Sequence, residues 1–295
     1  MQQQKGREAV KRANLTSDYV VLAATFFGFF MMTSAYFLIS YIAGIDAAAG
    51  QDLAEVLLGL FMALFLGGLL FLAILGVGMF WNRMMRQVML GNALQVEYSD
   101  FAWLRDWANH VAKDLGMPRV EVFVTQDPYI NAYAFGFIKP YCIVLHSGSI
   151  RYLSREELKV VVVHEMAHIK YWHTNAAVYL QPFLAIPIVG PIASWFIGFW
   201  NRRCELTADR LALMYMEDPE LVKKSLIKVH VGPDVAKDMN EVARQWLQHT
   251  AERPMNHFAQ TFSSHPFLVR RLSHIDKWAP SIRPVCAQVD QSDVR

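Results

Sequence analysis

Two long uncharged stretches near the N-terminus constrain the fold of this 295-residue chain more than any other feature. Residues 19–43 and 56–81 contain no charged side chain and are strongly apolar. As helices, both are long enough to cross the ~30 Å hydrocarbon layer of a membrane. We therefore predict a two-span transmembrane hairpin over residues 19–81. A buried core helix is the alternative for each stretch, and a cleavable signal peptide is the alternative for the first one.

The charges around the two stretches predict how the hairpin is oriented. The N-terminal tail, residues 1–18, carries four basic residues, and Arg83 and Arg86 follow the second stretch. The residues between the stretches carry only acidic charges, at Asp46, Asp52 and Glu55. Because basic residues favour the cytoplasmic side, both ends of the hairpin are expected there. The net charge of +2 is too small to indicate a nucleic-acid partner, and no basic stripe with interleaved aromatic residues is present.

A five-residue motif in the middle of the chain predicts a metal site. His164 and His168 are four residues apart, so a helix places both imidazoles on one face, and Glu165 lies beside them as a general base. A capping-box pattern at Ser154 and apolar residues at helical spacing predict such a helix over about 155–174. The motif is typical of zinc hydrolases. A chance match on a core helix is the alternative.

A catalytic zinc site normally has three protein ligands, so the motif needs one more residue. His173 lies nine residues after His164, which on one continuous helix places it on the opposite side. Glu205 is the best candidate. On a second helix Asp209 shares its face and could accept a hydrogen bond from a ligating histidine. The alternative is a solvated face on which the two carboxylates pair with Arg202, Arg203 or Arg210.

A third apolar stretch, residues 176–200, separates the two parts of this predicted site. A single membrane crossing there would place His168 and Glu205 about 30 Å apart, whereas ligands of one zinc each lie about 2 Å from it. Pro187 and Pro191 interrupt the stretch. We therefore predict a bent helical hairpin that dips into the membrane or lies on its surface. A hairpin wholly buried in protein is the alternative.

Four sequence elements together resemble the HtpX-type membrane metallopeptidases, which are relatives of the zinc CaaX prenyl proteases. The elements are Asn131-Ala132-Tyr133-Ala134-Phe135-Gly136, then His164-Glu165-Met166-Ala167-His168, then Glu205 with Asp209, then Ser264-His265-Pro266 with Arg271 six residues after the histidine. Their order and approximate spacing match over about residues 100–275. The 176–200 region is a departure, since it is usually long enough for two spans in those relatives.

The resemblance implies a zinc endopeptidase in the plasma (inner) membrane, multi-pass, with one Zn²⁺ per chain and its catalytic domain in the cytoplasm. It also implies that His265 and Arg271 stabilise the oxyanion or hold the substrate backbone. A helix N-terminal turn at His265 and a surface ion pair at Arg271 are the alternatives. The residues expected to border the substrate cleft are Asn131, Ala132, Tyr133 and Ala134, with Tyr133 equally suited to the core.

The complete pattern predicts a mainly α fold with a small β-sheet, an α+β zincin-like catalytic domain on the N-terminal transmembrane hairpin. This zinc metallopeptidase domain is expected over residues 82–283, followed by a C-terminal tail, residues 284–295. Within the domain, we expect helices near 99–115, 218–230, 236–251 and 266–278, and strands near 119–125 and 141–147.

The expected function is hydrolysis of peptide bonds in membrane or misfolded proteins at the cytoplasmic face. Membrane lipid and protein or peptide substrates are the expected partners, and a homo-oligomer is left open. The alternatives are processing of specific peptides, including lipidated ones, an intramembrane zinc protease, and a non-catalytic zinc-binding scaffold. Charged residues flank the motif, which disfavours the intramembrane site, and the intact Glu165 disfavours the scaffold. The odd number of cysteines, without C-x-x-C spacing, predicts reduced thiols at Cys142, Cys204 and Cys286.

Overall fold

The computed structural model describes residues 2–44, 52–187, 189–239, 243, 249 and 266–282. Its helices are α1 (Gln2–Ala13), α2 (Thr16–Ala43), α3 (Leu53–Gly91), α4 (Ala102–Asp114), α5 (Ser147–Tyr152), α6 (Arg155–Lys170), α7 (His173–Leu180), α8 (Val189–Met216), α9 (Pro219–Val231), α10 (Pro233–Asp238) and α11 (Leu268–Trp278). Its strands are β1 (Leu94–Gln95), β2 (Val120–Thr125), β3 (Ala132–Phe135) and β4 (Tyr141–His146). The described part of the chain is therefore mostly helical with a small sheet, which confirms that part of the fold prediction. Most of the helix expected at 236–251, and the tail at 284–295, lie outside the described residues.

The two apolar stretches form α2 and α3. Both helices are long and apolar enough to cross a membrane, with mean hydropathies of 1.8 and 2.7 over their most apolar segments. Only 22% of that segment is buried in α2 and 11% in α3, whereas the core helix of a soluble protein is mostly buried. The two helices pack on each other. Gly67 permits their close approach, because a Cβ there would overlap the backbone of Ser34.

The third helix continues well past the predicted end of its span at residue 81. Its 39 residues make a rod of about 58 Å, compared with ~30 Å for the hydrocarbon layer. The last turns of α3 therefore reach the rest of the protein. Arg86 is buried there and donates a hydrogen bond to the carbonyl oxygen of Pro140 (2.9 Å), just before β4. The apolar hairpin is thus tied directly to the sheet.

The N-terminal residues predicted as a tail instead form α1, which packs on α4 and α8. Ala9 and Ala13 are buried in the main core. The Tyr171 hydroxyl donates to the carbonyl oxygen of Val10 (2.9 Å), and Arg210 donates to that of Ala13 (3.0 Å). The helix is strongly polar overall, and its apolar side chains are Ala9, Val10 and Ala13, so the docking of this segment was not predicted.

The strands form one mixed sheet in the order β1-β2-β4-β3. β2 and β4 are parallel, while β1 runs antiparallel to β2 and β3 antiparallel to β4. Within the described residues β3 pairs with β4 alone, so its other edge is free of strand pairing. The Asn131–Gly136 element contains this edge strand. Helix α6 packs against the sheet beside β3 and carries the predicted metal motif.

The chain bends within the 176–200 stretch. Helix α7 ends at Leu180, a short 3-10 helix spans Gln181–Ala185, and α8 begins at Val189. Leu180 and Phe183 pack with Phe29 of α2 in a second core cluster. Consequently α8 starts next to the apolar hairpin and continues without a break to Glu205, so it connects the hairpin to the predicted site.

Candidate metal centre

Helix α6 positions the two histidines of the motif. It begins at Arg155 with the predicted capping box, in which the Ser154 hydroxyl accepts from the Glu157 amide (3.3 Å) and the Glu157 carboxylate accepts from the Ser154 amide (2.8 Å). One turn apart on the same face, the Nε2 atoms of His164 and His168 lie 3.2 Å from each other. Both rings are mostly buried, with 14% and 15% of their side chains exposed.

Helix α8 crosses α6 and directs Glu205 at the same point. Its Oε2 lies 3.4 Å from the Nε2 of His164, and its Oε1 lies 3.7 Å from the Nε2 of His168. Among the described residues, these three side chains form a group whose ligand atoms all lie within 4.8 Å of one another. Residues 41 positions apart in the sequence therefore converge because α6 packs along α8.

The spacing of these three donors fits a zinc ion. Four ligands at about 2.0–2.1 Å in a tetrahedron lie about 3.3–3.4 Å from one another. The measured separations of 3.2, 3.4 and 3.7 Å match this value. Two imidazoles and one carboxylate are also a donor set that zinc uses in catalytic sites, with the fourth position left for water.

Asp209 and Arg271 form a buried layer behind the three donors. Asp209 lies one turn after Glu205 on α8, and its Oδ1 is 3.1 Å from the Nδ1 of His164. Arg271 of α11 donates two hydrogen bonds to Asp209, at 2.7 and 2.6 Å, and its Nη1 lies 3.1 Å from the Oε2 of Glu205. Only 5% of Arg271 is exposed, so it is not a surface ion pair. Its contacts position Asp209 and Glu205, while a direct role in catalysis stays a prediction.

This charge pattern shifts the pKa values of the site. Burial would raise the pKa of Asp209, but attraction to Arg271 lowers it to about 2. Burial would lower the pKa of His164, but its hydrogen bonds to Asp209 and Glu205 raise it to about 10. Burial raises the pKa of Glu165 to about 7. Without a metal, His164 therefore holds a proton between two carboxylates.

His173 also lies at this site, which contradicts the expectation that it faces the other way. The expectation assumed one helix over 155–174, but α6 ends at Lys170. Trp172 adopts a left-handed conformation (φ 64°), and α7 then begins at His173. The turn brings the Nδ1 of His173 to 3.2 Å from the Nδ1 of His168. Because Trp rarely adopts positive φ, nothing in the sequence marked this reversal.

Two cavities meet at Glu165 and contain the residues predicted to border the cleft. The smaller one, about 260 Å³, is lined by Asn131, Ala132 and Arg271 among others. The larger one, about 930 Å³, reaches the metal group and the end of α3, and its lining includes Ala132, Tyr133, Ala134, His168, Trp81 and Met85. Tyr133 is half-buried and so belongs to the cavity wall. The other predicted catalytic residue, His265, lies outside the described residues.

Ser149 and His230 are among the polar residues of the smaller cavity that the sequence analysis did not identify. The Ser149 hydroxyl accepts from the amide of Asn131 (2.9 Å) and donates to its carbonyl oxygen (2.7 Å), which fixes the chain just before β3. His230 of α9 has its Nδ1 2.9 Å from the carbonyl oxygen of Leu226. Neither residue belongs to a motif with recognisable spacing, so only the packing of α5 and α9 around the site reveals them.

Comparison with known proteins places the chain in a family. The model of peptidase family M48 matches residues 98–279, more than half of the chain. A plastoglobule-localized metallopeptidase 48 of Arabidopsis thaliana chloroplasts is 30% identical over 223 residues, which cover 68% of this chain and 64% of that protein. A protease HtpX homolog of Bacteroides fragilis is 24% identical over 207 residues, 55% of this chain and 64% of the homolog.

A shorter match involves a protease HtpX homolog of Persephonella marina, with 34% identity over 79 residues, 26% of this chain and 27% of the homolog. The chain therefore spans less than two thirds of the length of each of these relatives. The matched region of the family model contains the motif on α6, the carboxylates on α8 and Arg271 on α11. The chain belongs to peptidase family M48 and is an HtpX-type metallopeptidase by family.

Proposed function

We propose that this protein is a membrane-anchored zinc endopeptidase that hydrolyses peptide bonds in membrane or misfolded proteins at the cytoplasmic face. One observation carries the proposal: His164, His168 and Glu205 converge at zinc-ligand spacing, next to Glu165 and between two cavities. A helix bearing the motif beside an edge strand, with a third ligand on the next long helix, supports a zincin-like catalytic domain.

The residues of the site have complementary tasks in this reaction. His164, His168 and Glu205 would hold a zinc ion, which would supply Lewis-acid chemistry by lowering the pKa of the attacking water to about 7 and polarising the scissile carbonyl. Glu165 accepts the proton of that water and later donates it to the leaving amine. In the metal-free protein, burial raises the pKa of Glu165 to about 7. Arg271 keeps Asp209 and Glu205 in place, and we assign oxyanion stabilisation to His265.

The free edge of β3 supports an extended peptide as the substrate. A peptide that adds to this edge as a strand would run past Ala132, which lines both cavities. Its backbone would then pass Glu165 and the metal group. Asn131 would contact residues on one side of the cut, and Tyr133 and Ala134 those on the other. The larger cavity extends to α3, which supports substrates that emerge from the membrane.

Membrane attachment is supported by α2 and α3, whose apolar surfaces are mostly exposed. The first half of α8 adds an exposed apolar face. Its side chains follow helical spacing and are Ile192, Trp195, Phe196 and Phe199. Because α7 and α8 pack on the hairpin, we propose that this face touches the lipid and that the 176–200 stretch does not cross it. Basic residues at both ends of the hairpin support a cytoplasmic catalytic domain.

A substitution at Glu165 tests the proposal. The zinc-loaded chain in detergent should cleave casein, and a chelator should stop it. Glu165→Gln should retain zinc but lose about 10²–10⁴-fold in cleavage rate, because the general base is removed. Glu156→Gln is the matched control, since this residue is exposed on the same helix and should leave the rate unchanged.

Two results would contradict the proposal. One is a zinc-loaded wild-type chain that cleaves neither casein nor a membrane protein, which would favour the scaffold alternative. The other is a Glu165→Gln variant that cleaves at the wild-type rate. Matched peptides with and without a prenyl group extend the test, because the apolar lining of the larger cavity favours lipidated peptides as a second candidate substrate.

A further inference from the structure

We propose that His173 is a positioning residue of the metal centre: it accepts a hydrogen bond from His168 and so fixes the tautomer and ring orientation of that ligand. The inference rests on the proposed function, since it requires a metal at His164, His168 and Glu205. Partners of this kind behind a ligating imidazole orient the ring and tune its basicity. Nothing in the spacing of the motif assigns this task to His173.

The two nitrogens of His168 face different partners. Its Nε2 lies 3.2 Å from the Nε2 of His164 and 3.7 Å from the Oε1 of Glu205, so this nitrogen faces the metal position. Its Nδ1 lies 3.2 Å from the Nδ1 of His173. An imidazole that binds a metal through Nε2 carries its proton on Nδ1. His168 therefore donates, the Nδ1 of His173 accepts, and the proton of His173 is on Nε2.

The surroundings of His173 hold its ring in this orientation. The residue is 5% exposed, and its ring stands edge-on to that of Trp200, at 5.8 Å and 89°. The ring of Tyr171, in the turn between α6 and α7, lies 5.9 Å from the ring of His173. Trp172 has a left-handed conformation, and α7 therefore begins at His173. A continuous α6 would instead rotate His173 by about 140° from His168.

A neutral partner at this position suits the charge of the site. Glu165, Glu205 and Asp209 supply three negative charges, which Arg271 and a divalent ion balance. Asp209 already supports His164 as a carboxylate. A second supporting carboxylate behind His168 would add a buried charge without a counter-ion, which is costly. An imidazole accepts the same hydrogen bond without that cost.

The zinc dissociation constant, measured by competition with a chromophoric chelator, tests the inference without relying on peptidase activity. His173→Phe keeps an aromatic ring but cannot accept, and we expect zinc binding to weaken by about 10–100-fold. His173→Asn places an amide oxygen near the former Nδ1 and should restore most of the affinity. Tyr171→Phe is the structural control. It removes the hydrogen bond from Tyr171, a neighbour of His173, to the carbonyl oxygen of Val10 but should leave zinc affinity unchanged.

Wild-type affinity in His173→Phe, or an equal loss in His173→Phe and Tyr171→Phe, would overturn the inference. If His173→Phe does not fold, the ¹⁵N shifts of histidine in the zinc-loaded wild-type chain decide instead. They should show His173 protonated on Nε2, and protonation on Nδ1 would overturn the assignment. If zinc binding depends on His173 but the chain has no peptidase activity, the proposed function is refuted and the inference about His173 stands.

Discussion

Single residues at the site act through one another rather than separately. Arg271 holds Asp209 with two hydrogen bonds, Asp209 faces the Nδ1 of His164, and Arg271 also contacts Glu205. Removing one member of a buried charged group leaves the others without a partner, which typically costs about 3–5 kcal/mol. The positions of two of the three proposed ligands therefore depend on Arg271, a residue 62 positions after Asp209.

Proton release on zinc binding is the prediction at this scale. The raised pKa of His164, about 10, means that it is protonated at pH 8.5 in the metal-free protein. A ligating imidazole must be neutral, so zinc binding should release about one proton from His164, in addition to the proton that a zinc-bound water with a pKa of about 7 loses at this pH. The apparent affinity should also rise with pH until about 10, where the competing proton is lost. Calorimetric titration at pH 8.5 in two buffers with different ionisation enthalpies measures the number released.

Asp209→Asn serves as the control for this titration. It removes one of the carboxylates that raise the pKa of His164, so fewer protons should be released at the same pH. Release of only the one proton that the zinc-bound water accounts for would show that His164 is neutral before the metal arrives, contrary to the arrangement of charges described here.

At the scale of elements, α3 connects the apolar hairpin to the site. Its last turns line the larger cavity, and α7 packs against it at Gly78. A Cβ at Gly78 would overlap the carbonyl oxygen of Val178, so this contact needs glycine. Gly76, two residues earlier, has no atom within 4 Å of the corresponding position. Substitutions at Gly78 therefore report on the close packing of α3 and α7, and substitutions at Gly76 report on helix propensity alone.

Alanine substitutions at these glycines should have opposite effects. Gly78→Ala forces α7 away from α3, and we expect a loss of about 1–3 kcal/mol in stability. Gly76→Ala fills open space and should be neutral or stabilising by up to about 1 kcal/mol. Thermal unfolding midpoints in the same detergent measure both. Equal midpoints for the two variants would mean that α3 and α7 are not packed as described.

At the scale of the whole molecule, α1 and the end of α3 both contact the part that holds the site. Because α1 leads into one apolar helix and α3 leads out of the other, both ends of the hairpin lie on the side of the metal group. The N-terminal basic residues therefore belong to a docked helix. Lys5, for example, pairs with Glu217 at the end of α8 (2.9 Å).

Labelling with a membrane-impermeant maleimide checks this topology. Cys142 and Cys204 are free and buried, so a Cys286→Ser background should give little signal. In intact spheroplasts Asp52→Cys, between the two spans, should react. Lys5→Cys on α1 and Lys237→Cys on α10 should react only after the membrane is opened. Lys5→Cys and Lys237→Cys reacting from opposite sides would contradict the docking of α1.

The features that could be predicted from sequence are those with local patterns. The apolar stretches, the capping box at Ser154 and the i, i+4 histidines each depend on neighbours within a few turns. The pairing of Glu205 with the motif was predictable only because zinc requires a third ligand. His173, Ser149 and the docking of α1 were missed, since they depend on one unusual backbone angle or on contacts between distant elements.

Zinc content tests the central claim most directly. The detergent-purified chain, loaded with zinc and dialysed, should hold one zinc per chain by elemental mass spectrometry. Glu205→Gln should lose most of it, because the third ligand is gone. Glu220→Gln, at an exposed site, should keep it. A wild-type chain without zinc, or a Glu205→Gln chain that binds zinc as tightly as the wild type, would contradict the account.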